Sequence, residues 1–199
     1  MQLESGHLYH IYNQGNNKQQ IFFNRENYLF FLKKVRNYIL PHADIFAWCL
    51  MPNHFHLMIF VNNVDVKLGN SKDFTKQNNE KVRTLNNSIG IMLRSYTDAI
   101  NKQEERSGAL FRRNTKAECI DCTGLIPSFI KENGINKINI SIPKNQYPQV
   151  CFEYIHQNPV KAGLTVSSEQ WEFSSAIDYK NMRSGNLINK DRAHLYLDF

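Results

Sequence analysis

His54 and His56 stand two residues apart in the run Met51-Pro52-Asn53-His54-Phe55-His56-Leu57-Met58-Ile59. In an extended strand, residues two apart project from one face while those between them turn to the other. The two imidazoles therefore share a side, and Phe55 and Leu57 line the opposite one. Two neutral imidazoles can hold a divalent metal, but two ligands alone bind weakly, so a third must come from elsewhere. Tyr154 and Asn158 are four apart in a stretch from Gln149 to Asn158 that reads as a short helix, which stacks them on one helical face. That face would offer a metal ligand and a nucleophilic hydroxyl together. Plainer readings exist for each. An H-x-H pair is a pattern of low specificity, Tyr154 could be a core residue, and Asn158 could cap its helix. Cys119 and Cys122 form a C-x-x-C that could join His54 and His56 in a zinc site, although no second Cys or His pair lies at finger spacing.

The elements that must position these residues follow from a chain of 199 residues, 42% of them hydrophobic, which is enough for one domain with an appendage. Twenty-four Lys and Arg against 18 Asp and Glu give a net charge of +6. That suits a polyanionic partner, although lysines scattered over a solvated surface would give the same total. No apolar run reaches about eighteen residues, so no membrane span is expected. The polar start from Met1 to Gly6 has no signal-peptide core, and a cytoplasmic location is expected. Cysteines at 49, 119, 122 and 151 are too few and too unevenly placed for a disulfide framework, so free thiols are expected.

In chain order, His7 to Asn13 alternates as a first strand, broken at Gly15. Asn24 caps a helix whose Tyr28, Phe31, Leu32, Val35 and Ile39 recur at helical spacing before Pro41 stops it. Asp44 to Met51 and His54 to Val61, separated only by Pro52-Asn53, read as an antiparallel hairpin with the histidines beside the turn. A polar loop from Asn62 to Lys81 precedes a long amphipathic helix carrying Val82, Leu85, Ile89, Met92, Leu93, Tyr96 and Ile100 on one stripe. Ala109 to Ile120 then reads as a strand bearing Arg112, Arg113 and Lys116. Gly124 to Pro148 is irregular, and Pro159 is expected to limit the last helix. The order βαββαβ predicts an α+β, ferredoxin-like antiparallel sheet with helices on one face and the histidines on the open face.

Four blocks in this order carry a resemblance: Tyr9-His10-Ile11-Tyr12-Asn13-Gln14-Gly15-Asn16-Asn17, Trp48 to Leu57, Ser107-Gly108-Ala109-Leu110-Phe111, and Tyr154-Ile155-His156-Gln157-Asn158-Pro159-Val160-Lys161-Ala162-Gly163-Leu164. Together they resemble the single-tyrosine HUH transposases. Trp171-Glu172-Phe173-Ser174-Ser175 makes the chain most similar to the REP-associated tyrosine transposases. The resemblance implies that His54 and His56 bind a catalytic Mg²⁺ or Mn²⁺, that Asn158 completes the metal site, and that Tyr154 is the nucleophile. It implies cleavage and rejoining of single-stranded DNA at hairpin-bearing ends through a covalent 5′-phosphotyrosine. Arg112, Arg113, Lys116 and Lys161 are then candidates for holding flanking phosphates, or equally ordinary surface charges. His156, two residues from Tyr154, points away from it and reads as packing or capping, and the role of His10 is left open.

The catalytic unit is placed at residues 1–165 and a C-terminal extension at 166–199. The long connection before the tyrosine helix suits a helix supplied by the same chain or by the partner in a homodimer. Two other functions compete: a domesticated, non-catalytic DNA or RNA hairpin binder, and a zinc-stabilised structural domain using Cys119 and Cys122.

Overall fold

The protein is described here from a computed structural model covering residues 2–67, 82–122, 131–132, 135–136 and 146–199. Its main sheet has four strands: β1 (Leu8–Gln14), β2 (Ala43–Met51), β3 (His54–Val61) and β4 (Lys116–Cys119). They pair antiparallel in the order β2-β3-β1-β4. Helices α1 (Arg25–Tyr38) and α2 (Leu85–Gln103) make the two crossings between strands, which is the expected ferredoxin-like arrangement.

Two-residue alternation divides the sheet into two apolar clusters. On the helix side, Tyr9, Ile11, Phe55, Leu57 and Ile59 meet Phe31 and Val35 of α1 and Ile89, Met92 and Tyr96 of α2. On the other side, Leu8, Cys49, Met51, Met58 and Phe60 meet Cys151, Phe152 and Ile155 of helix α3 (Tyr147–Lys161). A bulge between Ile45 and Ala47 keeps β2 in step. Its extra residue lets Phe46 and Ala47 both face α3, after which Trp48 and Leu50 return to the side of Ile45.

The helix starts are written in short side chains. Asn24 Oδ1 accepts from the Asn27 N–H at 3.1 Å, and Asn27 Oδ1 accepts from the Asn24 N–H at 3.3 Å. Such a reciprocal box is worth about 1 kcal/mol. Thr84 Oγ1 caps α2 by accepting from the Asn87 N–H at 3.1 Å.

Several boundaries differ from the expected ones. Val82–Thr84 pairs with Asp65–Lys67 as a two-stranded ribbon, so α2 begins at Leu85. The strand expected from Ala109 contracts to Lys116–Cys119. Asn13 Nδ2 donates to Arg112 O at 3.1 Å and Thr115 Oγ1 at 2.9 Å, which holds that segment by side-chain bonds in place of ladder bonds. Helix α3 runs through Pro159 to Lys161, continuing for less than one turn beyond the proline although the ring removes one backbone donor. The helix closes where Gly163, at φ +70°, donates its N–H to Val160 O and Leu164 donates to Pro159 O, each at 2.9 Å. Asn158 is therefore a residue of the helix body. Cys49 and Cys151 are free thiols as expected, but Cys119 and Cys122 are disulfide-bonded, the corner after β4 bringing their Cα atoms to 5.6 Å. Most of the loop expected at Asn62 to Lys81 and of the connection expected at Gly124 to Pro148 lies outside the described residues. Within the latter, Lys131–Glu132 pairs with Ile135–Asn136. No described helix is long and apolar enough to cross a membrane.

The C-terminal segment packs along β2. Leu50 donates to Phe173 O at 2.8 Å, Ser175 donates to Trp48 O at 2.9 Å, and Trp171 Nε1 donates to Leu50 O at 2.9 Å. Phe173 stacks on Tyr28 with ring centroids 3.8 Å apart. Farther on, Arg192 Nη1 reaches Asp44 Oδ2 at 2.6 Å. Helix α3 is tied to this segment by His156, whose Nε2 shares a 2.7 Å hydrogen bond with Ser175 Oγ. His156 thus packs, as read from the sequence.

Burial pushes His156 down from 6.5 to about 3. Between those values the unfolded chain binds a proton that the folded chain refuses, so stability falls as the pH is lowered from about 6.5 toward 3. Denaturant titrations from pH 7 to 4 are expected to show a shallower pH dependence for His156→Gln than for wild type, by up to about 1.4 kcal/mol per pH unit.

Candidate active site

The face of the sheet turned toward α3 is apolar at the β2 side and polar toward β1 and β4. The β1–β3 register sets Tyr12 opposite His56 and Gln14 opposite His54, and β4 adds Lys116 opposite Tyr12 and Glu118 opposite His10. Tyr154 descends from α3 onto this patch. Its ring meets His56 edge-on at 5.4 Å between centroids and His10 edge-on at 6.0 Å. His54 and His56 lie 5.0 Å apart. In this chain Tyr154 of α3 lies against histidines of the chain's own sheet. Between them is a cleft of about 320 Å³, lined by His10, Tyr12, Asn13, Gln14, His54, His56 and Tyr154, with Arg112, Asn114 and Lys116 at one side.

The ring nitrogens are sorted by their partners. His54 Nδ1 bonds Asn53 Oδ1 at 2.6 Å, and His56 Nδ1 shares a 2.9 Å hydrogen bond with His10 Nε2. Both histidines are left presenting Nε2. Among the described residues, His56 Nε2 is buried without a hydrogen-bond partner. A buried polar atom left in that state costs about 1–3 kcal/mol, which a ligand at that nitrogen would offset. Asn158 Nδ2 is taken by Tyr154 O at 2.7 Å, and the Asn158 side chain also acts on His54 and on the Tyr154 phenol.

The environment keeps the imidazoles neutral. Burial lowers His10 to about 4 against the opposing pull of Glu118. Burial, then the neighbouring His10 and His54, hold His56 well below 6.5. His54 is lowered by burial and partly restored by Asn158. Uncharged imidazole is the metal-binding form, so at neutral pH no proton must first be displaced. Tyr154 is shifted upward by burial, with Cys151, Glu118 and Cys49 adding to the rise and Asn158 opposing it. A phenol in this setting stays protonated at neutral pH.

Of the sequence-expected residues, His54, His56, Tyr154 and Asn158 are brought together. Arg112 and Lys116 line the cleft, and Lys161 Nζ stands 5.4 Å from the Tyr154 ring centroid. Arg113 is exposed and does not line the cleft. Residues not anticipated are Tyr12, Asn13, Gln14, Asn114 and Glu118, and His10 now has a place. Tyr12 donates to Glu118 Oε1 at 2.6 Å. The signal for His10, Tyr12 and Gln14 was available, since they follow the same two-residue alternation that singled out His54 and His56. A zinc set of Cys119 and Cys122 with His54 and His56 is not formed. Cys119 belongs to the helix-side cluster, and the group that gathers around it is His7, Asp121 and Cys122, with ligand atoms within 4.8 Å of one another. A larger concavity of about 550 Å³ lies beside the C-terminal loop. Its Arg183 is committed to Asp178 at 2.7 Å, and none of the histidines lines it.

No family model matches the chain, and no curated protein matches it. Among solved structures, the chain is similar to that of a REP-associated tyrosine transposase bound to a REP hairpin. The identity is 16% and the TM-score 0.53, over 95% of this chain and 92% of that one. At that identity the likeness carries the fold, which is the α+β arrangement expected from the sequence.

Asn158→Ala removes the contact that lowers Tyr154 and raises His54. Alkaline ultraviolet titration, with Tyr154→Phe as the reference, is expected to show the Tyr154 phenol moving further above 10, while NMR titration shows His54 moving further below 6.5.

Proposed function

We propose that this chain is a single-tyrosine HUH transposase, a metal-dependent enzyme that nicks and rejoins single-stranded DNA at hairpin-bearing ends. The observation that carries the reading is the meeting of Tyr154 with His56, and of His56 with His54, in one cleft. Residues 1–165 form the catalytic unit in this reading, and 166–199 its extension.

His54 Nε2, His56 Nε2 and an oxygen from Asn158 fit a divalent cation such as Mn²⁺ or Mg²⁺, as the buried and unpaired His56 Nε2 argues. Two imidazoles and one amide leave coordination positions open for phosphate oxygens. When bound, such an ion would polarise the scissile phosphate and offset the burial that keeps the Tyr154 phenol protonated. With Nε2 as the ligand atom, His56 donates its Nδ1–H to His10 Nε2, and His54 donates its Nδ1–H to Asn53 Oδ1. His10 and Asn53 thereby fix the orientation of the two rings.

The chemistry of the chain is a phosphoryl transfer between oxygens. The Tyr154 oxygen forms a bond to phosphorus, the bond from phosphorus to the 3′ oxygen breaks, and the phenolic proton is exchanged for one on the released 3′-OH. The diester bond energy is retained in the phosphotyrosine, so attack by a 3′-OH rejoins strands without ATP. Arg112 and Lys116 stand where flanking phosphates would enter, and Lys161 sits over the nucleophile. The placement of α3 on its own sheet favours action in cis, and a homodimer is compatible with it.

Denaturing gels of protein with labelled single-stranded hairpin oligonucleotides and Mn²⁺ are expected to show a covalent adduct with wild type. It should be absent with Tyr154→Phe, His56→Ala or excess chelator. Tight hairpin binding with no adduct under any of these conditions would replace this reading with that of a non-catalytic hairpin binder. Arg112→Ala and Lys116→Ala are each expected to weaken binding to all sequences alike and to reduce the logarithmic salt slope by about one.

A further inference from the structure

The second group of ligand-type side chains lies at the far corner of the sheet, where the chain enters β1 and leaves β4. His7 Nδ1 is 3.3 Å from Asp121 Oδ1, and Cys119 Sγ is 3.2 Å from the same oxygen. Asp121 is oriented by the Leu8 N–H, which donates to Oδ1 at 3.0 Å. Cys122 Sγ joins them through its bond to Cys119, and the four ligand atoms all lie within 4.8 Å of one another. We propose that His7, Cys119, Asp121 and Cys122 form a Zn²⁺ site that is available when the Cys119–Cys122 bond is reduced.

Two thiolates, an imidazole and a carboxylate are a tetrahedral set that zinc accepts, and soft thiolates select it over magnesium or manganese. Bond lengths of about 2.0–2.3 Å to such ligands place the donor atoms roughly 3.3–3.8 Å apart. The observed convergence needs only a small inward movement of His7 and a parting of the two sulfurs. His7 and Asp121 keep 37% and 22% of their side-chain surface, so this adjustment does not disturb the core.

The two states exclude each other, because a sulfur in a disulfide has no thiolate to offer. A dithiol reductant opens the bond by thiol–disulfide exchange, giving two electrons and two protons and becoming a disulfide itself. Zinc then displaces the two thiol protons. The zinc closure, through His7, would tie the start of β1 to the end of β4, whereas the disulfide closes only the local turn after β4. The site is separate from the cleft: Cys119 faces the helices while its neighbour Glu118 faces the histidines.

The test uses the full chain, reduced with a phosphine, incubated with zinc chloride and desalted, with metal read by elemental analysis. The His54→Ala/His56→Ala variant serves as the background, so the outcome is independent of any metal in the cleft. About one zinc per chain should remain in that background and be lost on adding Cys119→Ser and Cys122→Ser. Co²⁺ in place of zinc should give a thiolate charge-transfer band that vanishes with the same changes, and that is weakened by His7→Ala or Asp121→Asn. Oxidation with diamide should release the zinc as titratable thiols in denaturant fall from four to two. Absence of retained zinc in the reduced protein, or zinc unaffected by the cysteine changes in a chain with wild-type circular dichroism, overturns the proposal.

Discussion

The antiparallel ladder between β1 and β3 is the constraint on which the rest of the structure depends. These are the two central strands, and their register sets His56 against Tyr12 and His54 against Gln14 while Phe55 and Leu57 enter the helix-side core. A slip of one residue would turn both histidines into the packing of α1 and α2 and expose two large apolar side chains in their place. The apolar alternation of β3 therefore enforces the orientation of its polar residues. Positioning of the site and stability of the core follow from one choice of register.

The local chemistry of the site works in two opposed directions. Desolvation keeps three imidazoles uncharged and ready to donate electron pairs, and the same desolvation makes the phenol harder to ionise. Asn158 is the residue that eases both, since it pulls His54 up and Tyr154 down. One amide, four residues along the helix from Tyr154, thus acts on both His54 and Tyr154.

Much of this was legible in the sequence because it is carried by short-range rules. The cap at Asn24, the hairpin around Pro52-Asn53, the alternation of β3 and the four-residue spacing of Tyr154 and Asn158 all depend on neighbours in the chain. What escaped depends on contacts between distant residues. The late start of the strand at Lys116 follows from Asn13 bonding Arg112 and Thr115. The company kept by Cys119 and Cys122 includes His7, more than a hundred residues earlier, and no spacing rule links them. Pro159 misled because the bias of the residue before a proline away from the helical region is a preference, and here the buried Pro159 stays within the helix. The strand bulge at Ile45–Ala47 likewise has no signature in composition, although it decides which side Trp48 faces.

The bonds from Trp48 and Leu50 to residues 173–175 have a consequence for how the molecule behaves in a crowded solution. A sheet edge with unpaired amides and carbonyls is a template on which other chains can grow. Here the outer rim of β2 is occupied by the protein's own tail, which is bonded to it on both sides of Ser174 and anchored by the stacked rings of Phe173 and Tyr28. The tail acts as a built-in stopper, and loosening it would convert a self-contained sheet into a surface prone to fibre-like association.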